Sequence, residues 1–137
     1  NSARALYQSN FDGSEIRQIT STNSKETSPS ISPDGRTVVF VRRNGPTSTS
    51  AAGTGIISDI ILKDLRTEEE RNLTEEFEDE ASSPVFSPDG KWVAFEGFGL
   101  DRVFNIYIVS IERKEIIQVT QGDYDRLSPS WRLFTGH

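Results

Sequence analysis

The sequence contains no cysteine and no methionine, and its single histidine is the last residue, His137. Without cysteine the chain can form no disulfide, no thiol nucleophile and no cysteine-zinc site, and it suits oxidising and reducing compartments alike. With one terminal histidine, the usual nucleophile–base pairs of hydrolases are missing as well. The lack of an initiator methionine indicates a mature form, a domain of a larger protein, or a chain with added residues at its ends.

Acidic residues outnumber basic ones: the sequence has 21 Asp and Glu but 15 Lys and Arg, and its net charge is -6. Nucleic-acid binding and adhesion to an anionic membrane surface both need a basic face, so we predict neither. No run approaches the roughly 18 apolar residues of a spanning helix, and no basic segment precedes an apolar core. The sequence therefore predicts no membrane insertion and no signal peptide. A chain of 137 residues is long enough to form a single hydrophobic core of ordinary size.

Motifs of catalysis are also missing from the sequence. There is no Gly-x-Ser-x-Gly nucleophile elbow and no glycine-rich phosphate loop before a helix. A pair of carboxylates could act on a glycoside, but Asp and Glu are common on any protein surface. We therefore predict that the protein is not an enzyme.

One stretch of sequence occurs twice, at residues 28–40 and 83–95, and a third copy begins at residue 128 and fades after Trp131. Both complete copies contain Ser-Pro-Asp-Gly followed by a basic residue and an apolar run. Pro presets φ for a turn, Asp bonds its own backbone and Gly accepts a positive φ, so Pro-Asp-Gly predicts a hairpin turn. We favour this interpretation over a metal or phosphate site at Asp34 and Asp89.

Each repeat is predicted to contain four short strands. Its markers are an apolar run (5–7, 60–62, 106–108), an apolar-Thr pair (19–20, 73–74, 119–120) and a proline (29, 84, 129). No segment has both helical length and helical period, although residues 65–77 could form a short helix. We predict a turn there, because residues 67–70 occupy the position of the hairpin turns in the other repeats.

Two of the strands are continuous apolar runs, at residues 38–41 and 106–109. A half-exposed strand would alternate, so these strands are expected to be covered on both faces. Parallel strands would need crossover helices, which the sequence lacks. Repeated four-stranded antiparallel sheets that stack face to face form a propeller.

The repeat resembles the WD-like repeat of TolB-type β-propellers, which also occurs in the propellers of prolyl-oligopeptidase-like and tricorn-type proteases. The resemblance covers about residues 4–132 and implies an all-β fold, a β-propeller of four-stranded antiparallel blades. We predict a single partial propeller domain over residues 1–137, with repeat units at about 4–28, 29–83 and 84–128 and a lone strand at 129–132.

About three blades are predicted, because the sequence opens at a third strand and its last repeat lacks Pro-Asp-Gly. TolB-like propellers commonly have six blades, so we expect two chains to close a six-bladed ring. The strand of Trp131 would then complete the sheet that Leu6 and Tyr7 begin in the other chain. The alternative is that the chain is part of a longer propeller.

Candidate binding residues cluster in the connections between blades. The acidic run at residues 75–80 lies in a connection from a fourth to a first strand, and residues 123–125 lie in the equivalent connection one repeat later. Propellers place such connections on the same face as the loops between second and third strands, such as the inserted tract at 44–55. The candidates are Glu75, Glu76, Phe77, Glu78, Asp79, Glu80, Phe98, Asp123, Tyr124 and Asp125.

Three interpretations of this acidic face remain open: solvated loops, a surface for a basic protein partner, or a calcium site, since Ca²⁺ takes six to eight oxygen ligands. No cofactor is predicted, and calcium is the weaker alternative. Trp131 aligns with Ile31 and Phe86, which predicts packing near the propeller axis.

The sequence thus predicts a non-enzymatic β-propeller module for protein or ligand recognition, with TolB-like scaffolding as its role. The alternatives are a gating or substrate-filter propeller of a larger peptidase and a purely structural repeat. The resemblance implies a periplasmic, extracellular or cell-surface location.

Overall fold

The computed structural model describes residues 4–20, 25–43, 57–77, 80–98, 103–121 and 129–131. These residues form ten β-strands and no helix. None of the described segments, accordingly, is a helix that could cross a membrane. The strands are β1 (Tyr7–Gln8), β2 (Arg17–Gln18), β3 (Lys25–Ile31), β4 (Thr37–Arg43), β5 (Ser58–Asp64), β6 (Glu70–Asn72), β7 (Glu80–Phe86), β8 (Trp92–Phe98), β9 (Phe104–Ser110) and β10 (Ile116–Gln118).

The strands form two complete four-stranded antiparallel sheets and one antiparallel pair. Strands β3 to β6 pair in sequence order and form the second blade, and β7 to β10 form the third. Strands β1 and β2 supply two strands of the first blade. Short parallel bridges, Arg4–Lys25 and Ser58–Glu80, join neighbouring blades. The prediction of an all-β partial propeller of about three blades is confirmed.

The first strand of each complete blade begins several residues before its Ser-Pro pair. Strands β3 and β7 each contain an irregularity at a Ser-Pro pair, between residues 27 and 30 and between 82 and 85. Ser28 and Ser83 adopt the left-handed region there, with φ of 54° and 52°. Such a bulge bends the strand and lets pairing resume beyond the proline, which donates no hydrogen bond.

The repeated Ser-Pro-Asp-Gly segment is a hydrogen-bonded turn, as predicted. The Ser32 hydroxyl donates to the Asp34 carboxylate at 2.6 Å, and the Arg36 amide donates to the same oxygen at 3.0 Å. These bonds lower the pKa of the Asp34 carboxyl. Gly35 has a φ of 71°, which explains its place in the motif. Residues 87–92 repeat this arrangement with the same distances.

Residues 65–67 form a turn between β5 and β6, and the alternative of a helix over 65–77 is excluded. The Asp64 carboxylate accepts hydrogen bonds from the Thr67 and Arg66 amides, both at 2.8 Å. These backbone donors lower the pKa of Asp64.

Two apolar layers lie between neighbouring blades. One packs Val38, Phe40 and Ile61 of the second blade against Leu6 and Ile19 of the first. The other is larger and lies between the second and third blades. Its buried residues are Val39, Val41, Ile60, Leu62, Leu73, Ala81, Phe86, Val93, Phe95, Tyr107 and Val109. The second blade is covered on both sides, which agrees with the prediction for the apolar run at residues 38–41. In the third blade, Tyr107 and Val109 are buried but Ile106 and Ile108 are only half-buried, so the predicted cover on both faces of the run at 106–109 is not found.

Trp131 does not pack in the core, contrary to the prediction. It keeps 37% of its surface exposed, and its indole donates to the Val85 carbonyl at 3.1 Å. Ile31 is exposed too, whereas Phe86 is buried. The three aligned positions differ because, among the described residues, only Phe86 lies in the layer between two complete blades.

The repeated threonine tethers the fourth strand of each blade to the third. The hydroxyls of Thr20, Thr74 and Thr120 accept a hydrogen bond at 2.9 Å from the backbone amides of residues 6, 60 and 106, respectively. Thr20 and Thr74 are buried. The hydroxyl thus satisfies a third-strand amide beyond the end of the short fourth-strand ladder.

Replacing Thr74 by Val is expected to lower the free energy of unfolding by about 1–3 kcal/mol, because the buried Ile60 amide loses its acceptor. Thr74→Ser keeps the hydroxyl and should lose less. Urea denaturation of both variants measures the difference. Thr67→Val, in the exposed turn, is the matched control and should stay within about 0.5 kcal/mol. Equal stability of the Thr74→Val and Thr67→Val variants would contradict the proposed tether.

Candidate recognition face

The described strand ends that flank the predicted binding connections lie at one end of the blades, which we call the cleft end. Strands β4 and β8 finish at this end, and β3, β5, β7 and β9 begin there. It contains a cleft of about 250 Å³. The Pro-Asp-Gly turns lie at the opposite end of the same strands.

Basic side chains dominate the described lining of this cleft. Arg4, Lys25 and Arg43 contribute three cations, and Glu80 is the carboxylate among the lining residues. Lys25 lies opposite Arg43 in the antiparallel register of β3 and β4, and Arg4 forms a parallel bridge with Lys25. Arg43 pairs with Glu80 at 3.3 Å. The hydroxyl residues at 27, 58 and 82 and the apolar Val41 complete the lining.

A buried ion-pair network lies beside the cleft and holds its strands together. Arg42 donates to Glu26 at 2.8 Å across β3 and β4, and to Glu70 of β6 at 2.9 Å. The Glu26 side chain is fully buried. Burial disfavours the charged form of Arg42, but the hydrogen bonds that Arg42 donates to Glu70 and Glu26 outweigh it and raise the pKa of Arg42. The network aligns the neighbouring residues Lys25 and Arg43.

Of the predicted acidic run, Glu75 and Glu80 are already paired. Glu75 accepts from Lys114 of the third blade at 2.9 Å, and Glu80 from Arg43. Glu76 is exposed. Phe98 lies at the cleft end, with its ring centroid 4.9 Å from that of Phe104.

Phe77 is partly buried and packs against the core between the second and third blades, which favours a packing role over ligand binding. Its ring lies edge-on to Phe95 and Tyr107, with centroid distances of 5.5 and 5.0 Å. Gly97 makes room for the ring, because a Cβ there would come within 2.5 Å of it. The sequence signal that was missed is this glycine, two residues after Phe95 on β8.

The other candidate residues, Glu78, Asp79, Asp123, Tyr124 and Asp125, lie outside the described residues, as does the 44–55 tract. Within the described ranges, no group of three or more His, Cys, Asp or Glu side chains is placed to hold a metal ion. The cationic cleft is the feature that sequence reasoning missed. Its basic residues are far apart in the sequence. The one local clue to a basic site was Arg43, which directly precedes the inserted tract at 44–55.

No protein-family model matches the chain, and no curated protein matches it in sequence. Solved structures do match. A putative TolB from Agrobacterium tumefaciens superposes with a TM-score of 0.72 and 23% identity, over 93% of this chain and 41% of that one. TolB from Acinetobacter baumannii gives 0.66 and 23%, over 85% of this chain and 26% of that one.

An enzyme's propeller is similar as well. The β-propeller domain of the Trilobed protease from Pyrococcus furiosus matches with a TM-score of 0.55 and 18% identity, over 74% of this chain and 29% of that one. This chain thus spans less than half the length of each structure. The chain has the fold of TolB-like β-propellers, of which it forms about three blades.

Proposed function

We propose that this propeller is a non-enzymatic recognition module that binds an acidic segment of a protein partner at the cleft end. The observation that carries the proposal is the cleft lined by Arg4, Lys25 and Arg43 in a chain of net charge -6. Like charges directly opposite each other on neighbouring strands are destabilising. Glu80 offsets part of this repulsion at Arg43, and a ligand carboxylate bound beside Lys25 would offset more of it.

An acidic ligand is favoured over the basic partner that the sequence suggested. Glu75 and Glu80 are each paired with a cation of the same chain, so a basic ligand would compete with Lys114 or Arg43 for these two residues. An acidic ligand would compete with Glu80 for Arg43 alone and would meet Arg4 and Lys25 as well. Arg guanidinium groups bind carboxylates in a planar, two-pronged geometry, and Lys adds a point charge. Thr27, at the cleft wall, offers a hydroxyl to the same ligand.

The wider role that we propose is scaffolding of the TolB kind, outside the cytoplasm, as the resemblance implies. A second candidate is a substrate-filter propeller of a larger peptidase, which the likeness to the Trilobed protease propeller supports at the level of fold. In that role the cleft end would select the charge of peptides that enter.

The proposed charge preference is tested with fluorescein-labelled hexaglutamate and hexalysine peptides and fluorescence anisotropy. We expect hexaglutamate to bind and its affinity to fall as salt is added. The Lys25→Gln/Arg43→Gln variant should weaken binding about tenfold or more, equivalent to the loss of about 1.4 kcal/mol. The same charge change at the opposite end, Arg36→Gln/Lys91→Gln, is the matched control and should have no effect.

Binding of hexalysine but not hexaglutamate would contradict the proposal and support the acidic run at residues 75–80 as the site. If neither peptide binds, the recognition proposal is contradicted and the cleft end has a purely structural role. Equal losses in the two double variants would show that binding is non-specific.

A further inference from the structure

The charged residues of the cleft lie in a single row across neighbouring strands. The row runs from Arg4 through a parallel bridge to Lys25, through antiparallel pairs to Arg43 and Ser58, and through a second parallel bridge to Glu80. Side chains in register on neighbouring strands share a face and lie about 5 Å apart. The row, which we call the cleft row, therefore presents three positive charges, a neutral residue and a negative charge in this order.

The residues next to the cleft row carry no charge. Thr27 and Val41 lie opposite each other, each two residues along its strand from the row, and Ser82 lies two residues along β7. Side chains two residues apart in a strand point to the same face, so these three line the same cleft. A ligand would meet the charges of the cleft along this row, with hydroxyl and apolar groups beside them.

Ser58 holds the positive and the negative part of the row together. Its hydroxyl donates to the Ala81 carbonyl at 2.8 Å and accepts from the Ala81 amide at 3.1 Å. Ser58 is buried, so it acts as a neutral spacer and not as a ligand donor. The strand of Glu80 is thus fixed to the strand that pairs with Arg43 before any ligand binds.

Glu80 gives the two ends of the row opposite preferences. Its carboxylate pairs with Arg43 at 3.3 Å, whereas Arg4 and Lys25 are exposed at the far end of the row. A carboxylate accepts more than one hydrogen bond, so a ligand cation can join Arg43 at Glu80. A ligand carboxylate in the same place would be repelled by Glu80.

We propose that the cleft selects a charge-segregated segment, in which a block of acidic residues adjoins a basic residue, and that Glu80 determines this specificity. The inference rests on the acidic-segment binding proposed above. The acidic block lies over Arg4 and Lys25, and the basic residue lies beside Glu80. Complementary charges arranged in this way fix the register of a bound segment.

Two fluorescein-labelled peptides of equal composition, EEEEKK and EEKKEE, test this selection by fluorescence anisotropy. We expect the unaltered chain to bind EEEEKK about threefold more tightly or better, since one partly exposed ion pair is worth up to about 1 kcal/mol. In EEKKEE the lysines separate the glutamates, so the acidic block and the basic residue cannot both match the row. This comparison needs no variant.

The Glu80→Gln variant should shift the affinities of two peptides in opposite directions. Binding of EEEEKK should weaken about threefold because its lysines lose their partner, and binding of hexaglutamate should tighten because a competitor for Arg43 is removed. Glu80→Asp keeps the charge and should retain the preference of the unaltered chain. Glu69→Gln, the same change at an exposed residue of the opposite end, is the matched control and should alter neither affinity.

The outcomes separate this inference from the proposed function. If Glu80→Gln tightens both EEEEKK and hexaglutamate, or if EEEEKK and EEKKEE bind equally well, the role of Glu80 is overturned and the acidic-ligand proposal stands. If neither hexaglutamate nor EEEEKK binds to the unaltered chain, the proposed function is contradicted and the inference falls with it.

Discussion

Replacing Arg42 by Met is expected to lower the free energy of unfolding by about 3–5 kcal/mol, because it leaves Glu26 as a buried carboxylate without its guanidinium partner. The Glu26 side chain is fully buried and accepts from two nitrogens of Arg42, at 3.0 and 2.8 Å. Arg42 also lies 5.3 Å from the centre of the Phe40 ring. Guanidinium denaturation of the variant measures the loss.

Arg43→Met is the matched control for Arg42→Met, since it makes the same change one residue later. Arg43 is 49% exposed, so solvent screens its pair with Glu80, whose side chain is 19% exposed, and the loss should stay near or below about 1 kcal/mol. The double change Glu26→Leu/Arg42→Met removes both charges and should recover much of the stability. A double variant less stable than Arg42→Met alone would show that the pair is not the cause.

Replacing Phe95 by Ala is expected to cost about 3–5 kcal/mol, because the ring is fully buried in the layer between the second and third blades. It stacks on Tyr107 with centroids 5.5 Å apart, and Phe77 packs edge-on against it at the same distance. The cavity would therefore loosen two further rings. Thermal and urea unfolding both report the change.

Phe95→Leu tests whether volume accounts for the effect. Leucine fills most of the space but loses the two aromatic contacts, which are worth about 0.5–1.5 kcal/mol each. We expect a loss clearly smaller than that of Phe95→Ala. Phe98→Ala, on the same strand at the cleft end, removes a partly exposed ring and should also cost less. Equal losses for Phe95→Ala and Phe98→Ala would contradict the central place of Phe95.

Local chemistry allowed the repeat to be read from the sequence. Pro-Asp-Gly sets a turn through φ values and hydrogen bonds within a few residues, and the structure confirms it at Asp34 and Asp89. The recurring threonine marked the end of each blade, although its role became clear only from the bond between Thr74 and the Ile60 amide. The apolar run at residues 38–41 predicted a strand covered on both sides, and the stacked blades supply that cover, whereas the run at 106–109 buries alternate residues.

Three features became clear only from the tertiary structure: the positive charge of the cleft, the packing of Phe77 against the core and the exposure of Trp131. Arg4, Lys25 and Arg43 are far apart in the sequence and meet only through the pairing of neighbouring strands. Phe77 enters the core because Gly97, on another strand, leaves space for its ring. The sequence by itself determined turns, strands and blade order, since these depend on near neighbours. The site depends on non-local pairing, which no short stretch of sequence encodes.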